Sequence, residues 1–222
     1  MSLNKLQIMG QSPKIGHWFL WASFMIPLHP QSPQWHMPSF SHLKRNSVVF
    51  TPSGLRINVD NSSSPVFYKL PQIIEVKKLK ARGQLFDYQS VSSETNSEEP
   101  DDLPLRIGLV ETSEQPPSWL QKLFLPQWIK DIFEVFPGRG IKKVRFLTLN
   151  PNKSVGYFRV HPKSDLLEET VAVKQSHSGP FNLDYNFDPP TTTEALWFQS
   201  DGDDSHSRFS VLIQELSLEL KD

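Results

Sequence analysis

The chain has 222 residues, with 23 basic and 24 acidic side chains for a formal net charge of -1, and it has no cysteine. That balance gives no field to draw in nucleic acid or an anionic membrane, and the missing cysteines exclude disulfides, thiolate zinc sites and a cysteine nucleophile. A hydrophobic share of 37% with 19 prolines against 10 glycines fits one folded domain rich in loops and edge strands rather than long helices.

From Ile15 to Leu43 no Asp, Glu, Lys or Arg occurs, and the apolar stretch Ile15 to Ile26 follows Lys5 and Lys14. A basic start before such a stretch has the form of a secretory signal, so a periplasmic or secreted location is expected, with no integral membrane span because the run is too short. The same residues also suit a buried strand or helix or a flap over the domain, and no small-x-small cleavage site follows them. Gln31 to Ser41, with Pro33, Trp35, Met37 and Pro38, is too proline-rich for a regular element and reads as a lead-in. The division expected is therefore an amino-terminal segment, 1–43, and one domain, 44–222.

Strand signals begin at Ser47 to Thr51. Leu55, Ile57 and Val59 then alternate with Arg56, Asn58 and Asp60, and Val66 to Leu70 and Ile73 to Phe86 continue the series. The turns Pro52-Ser53-Gly54 and Asp60 to Pro65 make this an antiparallel meander. Residues 89–102, ending in Glu98, Glu99, Asp101 and Asp102, lack the apolar groups that would offset the entropy of ordering, which predicts a mobile acidic loop. After a strand at Leu103 to Val110, Ser118 caps a helical pattern running to Phe136 through Pro126. Further strands are expected at Val144 to Leu149, Val155 to Val160, Thr170 to Lys174 and Phe181 to Phe187. The last stretch, Glu194 to Leu220, is a strand pair around the acidic turn Ser200 to Ser205. The pattern predicts an all-β, antiparallel sandwich of jelly-roll type with a short helical insertion at about 118–136; a lipocalin-like barrel is the alternative.

The terminal segment EALWFQSDGDDSHSRFSVLIQELSLEL resembles the last two strands of galactose-binding-like jelly rolls, the fold of many non-catalytic carbohydrate-binding modules and of several secreted bacterial families. The resemblance implies a binding module whose loops hold a carbohydrate or similar polar ligand, and terminal strands that help hold a structural calcium. The acidic turn permits that ion physically, since Asp201, Asp203 and Asp204 offer hard oxygen ligands and Gly202 allows a tight path; a solvated hairpin turn explains the same residues. No other cofactor is expected.

Sugar recognition needs exposed aromatic faces flanked by polar groups. Trp35, Tyr157 and Tyr185, each beside loop-forming residues, are the candidate platforms, and Arg159 and His161 the polar contacts. Trp197, among apolar neighbours, is expected to be buried. The marks of an enzyme are missing: there is no Gly-x-Ser-x-Gly elbow, His-Glu-x-x-His helix or phosphate-binding Gly-x-x-x-x-Gly-Lys loop. A polysaccharide-acting enzyme built from carboxylates such as Asp184, Asp188 or Glu194 stays open as an alternative, as does a structural or interaction protein; oligomeric state is not encoded in any pattern seen.

Overall fold

A computed structural model describes residues 23–30, 32–38, 43–90, 102–116, 130, 133, 135–161 and 164–221. The described residues form β1 (Ser23–Met25), β2 (Trp35–His36), β3 (Ser47–Thr51), β4 (Gly54–Asp60), β5 (Ser63–Gln89), β6 (Leu105–Ser113), β7 (Gly140–Asn150), β8 (Phe158–Val160), β9 (Leu167–Lys174), β10 (His177–Asp201) and β11 (Arg208–Leu220). They are hydrogen-bonded in the order β3-β4-β11-β5-β10-β6-β7-β9-β8, with β1 on β11 and β2 on β5. All neighbours are antiparallel except β7 and β9.

Two strands decide the architecture. β5 has 27 residues and β10 has 25, and they pair from His177↔Gln89 to Asp201↔Ser63, with register shifts between Asn186 and Thr191 and between Thr193 and Ala195. The shift between Asn186 and Thr191 spans Pro189 and Pro190, which lack the N–H a ladder requires, so an irregular, bent stretch is the form such a sequence takes. The amino-terminal half of β10 and the carboxy-terminal half of β5 join β11, β4 and β3 in one layer. The other halves join β6, β7, β9 and β8 in a second.

Alternation fills the space between the layers. One inner face presents Leu55, Ile57, Val211, Ile213, Leu79, Ala81, Leu85, Phe181 and Leu183; the other presents Val66, Tyr68, Leu196, Phe198, Ile107, Leu109, Leu147 and Leu149, and all belong to one buried cluster. The second layer is apolar on its outer face as well. Phe67, Val110, Val144, Phe146, Leu167, Ala195 and Trp197 form a separate cluster there with Val135 and Phe136, so Trp197 is buried as its neighbours imply.

The all-β sandwich read from the sequence is the observed class, and the sheet ends at β3 and β8 without closing, so it is not a barrel. Two expected boundaries are corrected: Val66 to Leu70 with Ile73 to Phe86, and Phe181 to Phe187 with the strand from Glu194, are each one continuous strand. Trp35–His36, read as irregular, pairs with Tyr68 and Phe67. Most of the helical stretch at 118–136 and of the acidic loop at 89–102 lies outside the described residues. Lys130 and Phe133 have helical backbone, while Gln89 ends β5. Among the described residues no helix is long and apolar enough to cross a membrane.

Gly108 stands between Trp197 on β10 and Phe146 on β7, whose rings meet edge to face with centroids 5.0 Å apart. A Cβ at Gly108 would lie 2.6 Å from Phe146 Cε1 and 2.9 Å from Val144 Cγ1. Gly108→Ala is expected to cost about 1–3 kcal/mol by overpacking, read as a fall in Tm of several degrees in a thermal melt; an unchanged Tm would contradict this packing.

Candidate functional site

The outer face of the second layer changes character towards the carboxy-terminal end of β10. In one row across the sheet Pro65, Gln199, Arg106 and Thr148 follow one another, and polar groups replace the aromatic cluster. Arg106 is buried, as is Glu169 on β9. The Arg106 guanidinium donates from Nε to Glu169 Oε1 at 3.0 Å and from Nη1 to Asp201 Oδ2 at 3.3 Å. Glu169 accepts a second guanidinium, Arg159 Nε, at Oε2. Gln199 donates to Asp201 Oδ2 and Ser63 Oγ, both at 3.2 Å. Charges of opposite sign are thus interlocked, the condition for ions to survive out of water. Removing Glu169 would take a carboxylate from both guanidinium groups at once.

Above this network lies a mainly polar cleft lined by Asp102, Thr148, Asn150, Asn152, Lys153, Tyr157, Arg159 and Glu169. Its rim is local in sequence. Asn150 Oδ1 accepts the backbone N–H of Asn152 at 2.9 Å and of Lys153 at 2.8 Å, an Asx turn, and Gly156 turns the chain with φ of 86°. Tyr157 follows, 44% exposed, with Lys153 Nζ 5.6 Å from its ring centroid. The edge strand β8 then carries Arg159 inwards to Glu169.

Next to the cleft, carboxylate oxygens of Asp102, Asp201 and Asp203 lie within 4.8 Å of one another. Asp102 is held by the backbone N–H of Ser205 at 2.6 Å and of Asp204 at 3.4 Å. Oδ1 of Asp201 is buried and receives no hydrogen bond. Burial, then the Asp203 contact and the Asp102 and Asp203 charges, hold the Asp201 carboxyl well above the usual carboxylate range, with Arg106 opposing. Tyr88 borders the group, its phenol pushed up to about 12 by burial and then by Asp102.

Of the five residues read as ligand contacts, the structure gathers two, Tyr157 and Arg159, in the cleft. His161 lies just past the end of β8, its N–H on Leu167 O at 2.9 Å. Trp35 lies elsewhere, partly buried, packed on Phe50, Tyr68 and Phe198 with centroids 5.0–5.6 Å away and donating Nε1–H to Pro27 O at 3.1 Å. Tyr185 shares the inward side of β10 with Leu183 and Phe187 and meets the Phe187 ring edge to face, with centroids 5.0 Å apart. Asp201 and Asp203 converge as read, but the third converging carboxylate is Asp102, while Asp204 supplies a backbone N–H. The sequence reading missed Asp102, Arg106 and Glu169. Asp184 is paired with Lys78 at 3.0 Å, Asp188 is exposed, and Glu194 is held by Arg139 at 2.7 Å and by Thr112.

No family model matches the chain, and no curated protein matches its sequence. Similar solved structures include a family 11 carbohydrate-binding module from Clostridium thermocellum in complex with a β-1,3-1,4-mixed-linked tetrasaccharide. It is 8% identical, with a TM-score of 0.42 over 88% of this chain and 94% of that one. A low-affinity xylan-binding module, CBM86, from Roseburia intestinalis is 9% identical with a TM-score of 0.36 over 90% and 95%. The metal-free carbohydrate recognition domain of Emp46p is 13% identical with a TM-score of 0.41 over 88% and 95%. Likeness of this degree transfers no residue and no ligand.

Because its folded-state affinity for a proton exceeds that of the unfolded chain, Asp201 contributes stability that is full in acid and lost as pH rises through its raised pKa. Stability should therefore fall as pH climbs above the ordinary carboxylate range. Asp201→Asn, neutral at every pH, should flatten that fall. Urea melts across this range check it; parallel profiles would show the carboxyl is not strained.

Proposed function

We propose that the chain is an exported, non-catalytic binding module whose cleft at Tyr157 takes a neutral carbohydrate or a similar polyol. One observation carries the reading: a partly exposed aromatic ring stands beside amide and hydroxyl groups in a cleft where Arg159 and Glu169 are already paired with each other. An aromatic face covers the apolar side of a sugar ring, and fixed donors and acceptors reach its hydroxyls. Asn150, Asn152 and Thr148 are such groups. A ligand that drew Glu169 away from its arginines would break buried ion pairs.

A binding role also suits the carboxylates present. Glu169 is committed to two guanidinium groups, an anchor for the arginines rather than a proton donor in search of a leaving group. Export rests on Lys5 and Lys14 ahead of the apolar run Ile15 to Ile26, whose last residues belong to the fold as β1 and the buried Ile26.

The test is a screen of neutral soluble polysaccharides and oligosaccharides, followed by titration calorimetry on the best binder with the parent protein and Tyr157→Ala. Loss of about tenfold or more in affinity, with Tm unchanged, is expected, since stripping a stacked aromatic removes about 1.5 kcal/mol or more. Equal affinity in the two proteins, or no binding to any neutral glycan, would sink the proposal.

A further inference from the structure

We propose that the outer face of the first layer carries a second binding site, centred on Arg56, for the carboxylate of a sugar acid. Leu55, Ile57 and Val59 belong to the core, so Arg56, Asn58 and Asp60 of β4 face outwards, and on β11 Ser210 pairs with Asn58 and Arg208 with Asp60. With Asp87 of β5 these residues line an open depression of about 340 Å³, within the size range of small-molecule sites. Arg56 is its unmatched group. The guanidinium lies over the Phe86 ring, 4.9 Å from the centroid, and donates from Nη2 to Ser210 Oγ at 2.8 Å. Nε is buried with no acceptor, and among the described residues neither Nη1 nor any carboxylate completes the set. Stacking occupies the face of a guanidinium and leaves its in-plane donors unspent. A planar carboxylate in the depression supplies the terminal nitrogens with acceptors in the fork geometry they offer.

The surrounding charges sharpen the choice of ligand. Lys44 and Arg208 share Asp60, at 2.5 and 2.6 Å, which leaves Arg56 as the cation of the depression that has no counterion among the described residues. Asp87 is brought there by an irregularity in β5. Pairing with β10 jumps from Leu85↔Gly179 to Gln89↔His177, and within the jump Asp87 has a φ of 56°, the left-handed region that residues other than glycine seldom enter. Bulges of this kind re-aim a side chain. The Asp87 carboxylate makes no hydrogen bond or ion pair with the described residues, so it can accept a hydroxyl hydrogen. A ligand that suits both groups brings an anionic acceptor to Arg56 and O–H donors to Asp87, the two functions a sugar acid combines. Sulfate brings acceptors only, and a neutral sugar leaves Arg56 without a counterion. This face belongs to the layer opposite the Tyr157 cleft, and the site stands on its own residues rather than on the proposed function.

The full chain is titrated with sodium D-glucuronate and followed by calorimetry and by 1H–15N spectra that include the arginine Nε–H signals. Saturable movement of the Arg56 Nε–H and of the Asp87 and Ser210 amides, complete by about 10 mM, is expected, with the Tyr157 amide unmoved. Sodium sulfate and methyl glucoside should each bind about tenfold or more weaker, since each lacks one of the two functions. Arg56→Gln should weaken glucuronate binding about tenfold or more, and Arg56→Lys, which keeps the charge without the fork, should also bind more weakly than the parent. If neither folds, Ser210→Ala, which removes the hydroxyl anchoring Arg56, takes their place and should weaken binding about threefold or more. No saturable movement, the same movement with sodium chloride at matched ionic strength, or equal affinity in the parent and Arg56→Gln would overturn the site. Movement centred on Tyr157 would overturn it too, by placing the ligand in the cleft. Sulfate or methyl glucoside bound as tightly as glucuronate would overturn the ligand class. The readout sits at Arg56, so failure of the neutral-glycan reading at Tyr157 would leave it standing.

Discussion

Because β5 and β10 remain paired while passing from one layer into the other, the two layers of this sandwich cannot be positioned independently. Each strand supplies inner-face residues to both sides of the core, Leu79 and Val66 from β5, Leu183 and Phe198 from β10. The bend is placed where Pro189 and Pro190 would in any case leave the ladder incomplete, so the irregularity costs few hydrogen bonds. Once the ribbon is set, β11 and β4 extend one layer, and β6, β7, β9 and β8 extend the other.

The functional consequence lies on the second layer. Covering its outer face with Trp197, Phe146 and Phe136 leaves the remaining part of that face sheltered, and Arg106 is buried there among carboxylates. Breaking a buried ion pair by removing one partner costs about 3–5 kcal/mol, although replacing the whole group by apolar residues can be neutral. Retention of the pairs therefore favours a role in positioning side chains over a role in stability. Arg159 is held at the cleft by the edge strand β8, which among the described residues pairs with β9 alone, and Tyr157 stands just before it.

Much of this arrangement was legible. Alternation in Leu55, Ile57 and Val59, in Leu105, Ile107 and Leu109, and in the terminal pair identifies strands because a half-buried sheet demands that period. The continuous apolar run Ala195 to Phe198 signals a strand buried on both faces, which is what the outer aromatic cluster requires. Continuity of β5 and β10 was hidden because Pro71 and Pro189 look like strand breaks until the bend is known. Tyr157 was identifiable as exposed from its Asn, Ser and Gly neighbours. Trp35 was not, since its Pro-rich surroundings imitate a loop while its ring packs on Phe50, Tyr68 and Phe198; for Tyr185, the period shared with Leu183 and Phe187 was the available signal. Asp102 stood at the end of an acidic run, and nothing local announces a partner at Asp201.

Native-state hydrogen exchange along β5 and β10 tests the shared ribbon most directly. Amides of Val66, Leu79, Leu183 and Leu196 should all exchange through one opening reaction, with the free energy of global unfolding. Exchange at Val66 and Leu196 through an opening about 2 kcal/mol or more below that at Leu79 and Leu183 would show that the layers separate on their own, and would contradict the account.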